Sequence, residues 1–188
     1  AFTDASRDKT GLVAIAEGGT LVLDEISEIP ISTQSKLLRF IETKTYRVLG
    51  GTEENRANVR IIAATNRNLK QAIAENHFRR DLYYRLQVLE LNIPPLRHRK
   101  EDIFDLVMEN MEFLNGKTMD KTSWDMLHDH NWPGNIRELL NVIKRAGISC
   151  VSPISGDQLW RIISAAGYGD SQTEKDDDNS TIDKLWYM

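Results

Sequence analysis

A chain of 188 residues, 40% hydrophobic and 28% charged, can bury one sizeable core or two small ones. Its formal net charge of -4 gives no general attraction to nucleic acid or anionic lipid, and no apolar run is long enough to span a bilayer. The single cysteine, Cys150, excludes an internal disulfide and fits a reducing compartment, so a cytoplasmic location is expected.

In chain order, residues 11 to 17 read as a short helix ahead of a strand at 20–24. There Leu21-Val22-Leu23 run straight into Asp24 and Glu25. So short and branched an apolar run reads as a strand buried on both faces. Two carboxylates at its end need something to offset their desolvation. Bound Mg²⁺ and a polarised water would do so in the Walker B manner, Asp24 orienting the metal and Glu25 activating the water. The competing reading is a plain strand end with two solvated acids.

Ser32 or Thr33 is expected to cap a helix with Leu37, Leu38 and Ile41 on one face. A strand from Tyr46, a turn-rich insertion at Gly50-Gly51 and a buried strand Val59 to Ala64 follow. Then come a helix over 69–75, a basic helical stretch over 78–86 and a strand over 88–92, which Pro94-Pro95 ends. Strands alternating with helices predict an α/β layer with a mostly parallel sheet.

Beyond the prolines the strands stop. Ile103, Leu106, Val107, Met111 and Leu114 recur at helical spacing and predict a single amphipathic helix. Further helices are expected over 122–130, over 135–148 and from Ser155. The expected organisation is therefore an α/β part at 1–96, an all-helical part at 97–166 and an acidic, disordered tail at 167–188. Leu185-Trp186-Tyr187-Met188 is oddly apolar for such a tail, and the sequence leaves open whether it docks.

Three polar clusters accompany the acid pair. Asn66 lies just past the second buried strand, which in a parallel sheet brings it to the rim beside Asp24 and Glu25. Arg79 and Arg85 stand six positions apart in Phe78-Arg79-Arg80-Asp81-Leu82-Tyr83-Tyr84-Arg85. Trp132-Pro133-Gly134-Asn135-Ile136-Arg137 puts an arginine in the first turn of a helix.

In this order and spacing the chain resembles the AAA+ ATPase domain of bacterial enhancer-binding proteins, the activators of sigma-54 RNA polymerase. The resemblance covers roughly residues 1 to 165. It implies a fold class: the rear portion of a AAA+ P-loop α/β sandwich followed by a helical lid. It also implies roles: Asp24 and Glu25 as Walker B, with Mg²⁺ at Asp24, and Asn66 in sensor I. Arg79 and Arg85 would be arginine fingers reaching a neighbouring subunit's ATP, and Arg137 would be sensor II. Ala1-Phe2-Thr3-Asp4-Ala5 resembles the family's sigma-contact loop, with Phe2 and Thr3 as contacts and Asp4 where the family has glycine. Implied partners are sigma-54 RNA polymerase and further copies in a ring of six or seven. Neither direct DNA binding nor membrane association is expected.

The phosphate-gripping Walker A loop is not found in the chain. Gly116-Lys117-Thr118 lacks the glycine five residues earlier and follows a helix, so it reads as a decoy. In the family that loop would precede Ala1, so the chain as written is expected to bind ATP poorly and to be marginally stable, with exposed strand edges. The alternative function is an inactive interaction protein that modulates intact rings; a different AAA+ machine would not account for Ala1-Phe2-Thr3. His128 and His130 read as surface residues, being two apart on a helix.

Overall fold

The computed structural model describes residues 11–48, 50–167 and 183–187, which form two compact units. Chain through Ile93 builds the first, together with the strand 183–187, and chain from Pro94 builds the second.

In the first unit, α1 (Leu12–Ile15) precedes β1 (Thr20–Leu23) and a 3-10 turn over Ile26–Glu28. Helix α2 (Ile31–Thr43) starts one residue after Pro30, with no side-chain cap. Ser32 and Thr33 are thus inside the helix, because the Pro30 carbonyl already takes the amides of Thr33 and Gln34. Strands β2 (Thr45–Arg47) and β3 (Glu54–Arg56) form an antiparallel pair, so the insertion holds a strand the sequence did not reveal. Strand β4 (Arg60–Thr65) follows, then α3 (Leu69–Ala74), which Asn68 caps, α4 (Arg80–Leu86) and β5 (Leu89–Ile93).

The main sheet has the order β1-β4-β6-β5, where β6 is Asp183–Tyr187. Strands β1 and β4 are parallel, with Leu23 opposite Ala63, whereas β6 runs antiparallel to both β4 and β5. This corrects two expectations. The sheet is mixed rather than mostly parallel, and the disorder expected of 167–188 does not extend over 183–187. The physical reason is a one-strand gap between β4 and β5, which a returning apolar segment fills with ladder hydrogen bonds.

Ile61, Ala63, Leu82 and Ile41 form the core on one side of this sheet. On the other, register places Val22 beside Ile62 and, across β6, Leu89 in the same row. Val22 is 57% and Leu89 53% exposed.

The second unit contains α5 (Asp102–Glu109), a 3-10 turn over Met111–Leu114, α6 (Lys121–Asp129), α7 (Asn135–Ser149) and α8 (Gly156–Ala165). The single helix expected through Leu114 breaks at Asn110. Its side-chain amide donates to the Leu106 carbonyl at 2.8 Å, the acceptor its own N–H would use, and that N–H turns to Val107 instead. Asp120 caps α6 by accepting from the Ser123 amide at 2.9 Å, and Gln158 accepts from the Ser155 amide at the start of α8. Leu127, Trp132, Leu139, Ile143 and Leu159 fill the core. Lys117 of the Gly-Lys-Thr decoy donates to the Gly147 and Cys150 carbonyls at 2.6 and 2.7 Å, so it finishes α7. Among the described residues no helix is long and apolar enough to cross a membrane.

Candidate active site

Asp24 and Glu25 directly follow β1, and Asn66 directly follows β4. Because these strands are parallel neighbours in register, all three residues emerge at the same end of the sheet, and all three are exposed. Asp24 accepts the Glu25 amide at 2.9 Å through Oδ1. Glu25 takes left-handed backbone angles, φ 49° and ψ 47°. For a non-glycine residue that conformation costs about 1–2 kcal/mol, which the surrounding turn must offset.

The two strand ends are tied together beneath this rim. Thr65 donates to Ser27 at 3.0 Å, and the Arg67 amide donates to the Thr65 hydroxyl at 3.1 Å. Above them Arg67 pairs with Glu28 at 3.0 Å. Sequence reasoning missed Ser27, Glu28, Thr65 and Arg67; the one signal was a hydroxyl ending an otherwise apolar strand.

The two arginines are held differently. Arg79 precedes α4 and makes a side-on pair with Asp81, Nε to Oδ1 at 3.0 Å and Nη2 to Oδ2 at 2.7 Å. This hydrogen bonding raises the guanidinium's pKa and holds the Asp81 carboxyl below its ordinary range. Arg85 is exposed in the last turn of α4. It is close enough to Lys44, which follows α2, to help burial lower that ammonium's pKa. Arg79 Nη1 also donates to the Ser35 hydroxyl in the first half of α2.

In the second unit Arg137 is exposed in the first turn of α7, while its neighbour Glu138 is 1% exposed. Glu138 accepts the Gly134 amide at 2.7 Å, closing the turn that presents Arg137. Only glycine fits at 134, since an added Cβ would lie 2.8 Å from that of Glu138. His130 is not the surface residue expected. Its Nε2 lies 3.7 Å from Glu138 and its Nδ1 accepts the Trp132 amide, because the chain turns back at Trp132. Burial raises the Glu138 carboxyl and lowers the His130 imidazole, which Lys100 lowers further. Both shifts favour the neutral forms. Phe2 and Thr3 lie outside the described residues.

Residues 1–92 match the sigma-54 interaction domain, and residues 97–175 match the AAA+ ATPase lid domain. The transcriptional regulator NtrC of Rhizobium meliloti is 47% identical over 150 residues, covering 77% of this chain and 31% of the relative. The alginate biosynthesis regulator AlgB of Pseudomonas aeruginosa is 46% identical over 156 residues, covering 80% and 35%. Crystallised NtrX from Brucella abortus in complex with ATP superposes with a TM-score of 0.75 at 35% identity, covering 84% of this chain and 40% of that one. The chain thus spans about a third of the length of these curated relatives. With two successive domain matches accounting for most of its residues, and NtrC-like regulators as its relatives, the chain belongs to the sigma-54 interaction family of AAA+ ATPase domains.

Proposed function

We propose that the chain carries the water-activating and phosphate-sensing half of an ATP-hydrolysing site. In the full-length protein, that hydrolysis would drive remodelling of sigma-54 RNA polymerase. The observation that carries this reading is the shared rim, where Asp24, Glu25 and Asn66 leave adjacent parallel strands whose ends Thr65 and Ser27 lock together. Ligands of open α/β sheets bind at such strand ends.

The residues fit an ATP-bound Mg²⁺. Among the described residues no group of three or more His, Cys, Asp or Glu forms a metal cage. Mg²⁺ suits such a site, since it takes one or two carboxylates and completes its shell with phosphates and water. Asp24 would hold it, and when bound it would neutralise charge building on the phosphates. Glu25 accepts the proton of the attacking water, and its carboxylate has no partner among the described residues. Asn66 orients that water or senses the γ-phosphate.

Arg79 and Arg85 act in trans, in a ring of six or seven subunits, where a finger contributes roughly 10³–10⁵ in rate. Arg137 contacts the nucleotide from the lid, residues 97–166, and Phe2 and Thr3 carry the motion to the sigma factor from residues 1–96. NtrX in its ATP complex supports nucleotide binding by this kind of domain.

Subunit mixing tests the arrangement. Full-length Glu25→Gln and Arg85→Ala proteins are each expected to be inactive, and their mixture to regain part of the ATP turnover. That regain comes from interfaces pairing an intact Glu25 with an intact Arg85. A mixture no more active than its components contradicts the shared site.

A further inference from the structure

Gln34 of α2 is completely buried, yet the roles above leave it unused. Its amide is committed wholly to backbone. Nε2 donates to the Ile29 carbonyl at 2.8 Å and to the His77 carbonyl at 3.0 Å. Oε1 accepts the Arg79 amide at 2.8 Å. An apolar side chain of similar size would fill the space but take their partner from two carbonyls and one amide. One side chain thus joins the segment that follows Asp24 and Glu25 to the segment that presents Arg79.

The next residue continues the hold. Ser35 Oγ accepts from Arg79 Nη1 at 3.2 Å, while Asp81 takes Nε and Nη2. A guanidinium has five N–H groups. Three are engaged, which leaves one on each terminal nitrogen, the number a two-point grip on an oxyanion uses. Both backbone and side chain of Arg79 are therefore fixed, on Gln34 and Ser35, before any ligand arrives.

We propose that Gln34, with Ser35 and Asp81, is a positioning residue. It presets the Arg79 guanidinium for a phosphate oxygen of the neighbouring subunit's nucleotide. This rests on reading Arg79 as a finger. Preset orientation contributes to turnover rather than to ground-state binding, because a misplaced group must be reordered during the reaction.

The test measures kcat and KM for ATP in the full-length protein carrying Gln34→Ala or Asp81→Asn, each in the native and the Arg79→Ala backgrounds. Gln34→Ala is expected to lower kcat about tenfold or more with KM nearly unchanged, since small misplacements can cost up to ~100-fold. In the Arg79→Ala background the same change is expected to lower kcat no further, the signature of two residues acting as one unit. If the two losses multiply, Gln34 acts independently and the proposal is overturned.

Should Gln34→Ala fail to fold, Asp81→Asn at the half-exposed end of the arrangement carries the same comparison. A kcat loss confined to the native background supports the proposal, and none in either background overturns it. The underlying reading has its own outcome. If Arg79→Ala by itself keeps native kcat, Arg79 is not a finger, and the positioning role fails with it.

Discussion

The Thr65 hydroxyl donates to the Ser27 hydroxyl at 3.0 Å, with both residues buried, and this bond joins the end of β4 to the turn that follows the acid pair. Thr65→Val keeps the shape but removes the hydroxyl that meets Ser27 and the Arg67 amide, leaving Ser27 with only its 3.4 Å bond to Glu28. The expected loss is about 1 kcal/mol in denaturant unfolding, the usual net worth of such a bond. Arg67→Ala removes only a half-exposed ion pair to Glu28 and should cost less than about 1 kcal/mol. An equal cost for both would mean that the surface pair, not the hydroxyl link, holds the strand ends together.

Gly147 sits where the 3-10 turn presses on α7. A Cβ there would lie 1.8 Å from the Phe113 carbonyl oxygen, a backbone atom that cannot swing away. Gly147→Ala is therefore expected to destabilise by roughly 3 kcal/mol or more, beyond the usual 1–3 kcal/mol of overpacking, although alanine normally favours a helix. Thermal unfolding of the variant checks this; an unchanged midpoint would show that the turn can move.

Glu138 and His130 give opposite pH slopes. Burial raises the Glu138 carboxyl, so its contribution is fully present below the ordinary carboxylate pKa and is lost as pH rises through the raised one. Burial and Lys100 lower the His130 imidazole, so its contribution is present above the ordinary imidazole pKa, about 6.5, and is lost as pH falls through the lowered one. Glu138→Gln removes only the first effect. Relative to the native chain, the variant should gain stability in urea unfolding as pH rises above the ordinary carboxylate pKa, about 4.3. A constant difference as pH rises would refute the assignment.

The row Val22, Ile62 and Leu89 leaves apolar surface on one face of the main sheet, with Leu91 exposed as well. Exposed apolar faces and strand edges promote association. The isolated 188-residue chain is expected to self-associate in sedimentation as concentration rises, and Val22→Thr with Leu91→Thr to reduce it. Equal behaviour of the two proteins would show that this face takes no part.

The α/β class, the helical second part and the acid pair at a strand end could all be read from local pattern. Leu21-Val22-Leu23 ahead of Asp24-Glu25 needs no tertiary information. What stayed hidden depends on partners far along the chain. Gln34 looks like an ordinary helix residue until its amide meets residues 77 and 79. His130 looks like a surface residue until the chain reverses at Trp132 and brings Glu138 to it. The break at Asn110 was missed for a smaller reason: hydrophobic spacing ignores a side chain that competes for a backbone carbonyl. Strand β6 escaped because its pairing spans more than a hundred residues to β4.

The most direct measurement is ATP turnover and ATP affinity of the full-length protein with Glu25→Gln. Glutamine keeps the size of the side chain but cannot take a proton from water. The account predicts affinity within a few-fold of native and turnover lower by about 10²–10⁴, the range for losing a general base. Native turnover with Glu25→Gln would contradict it, since the acid pair at the end of β1 would then have no part in the chemistry.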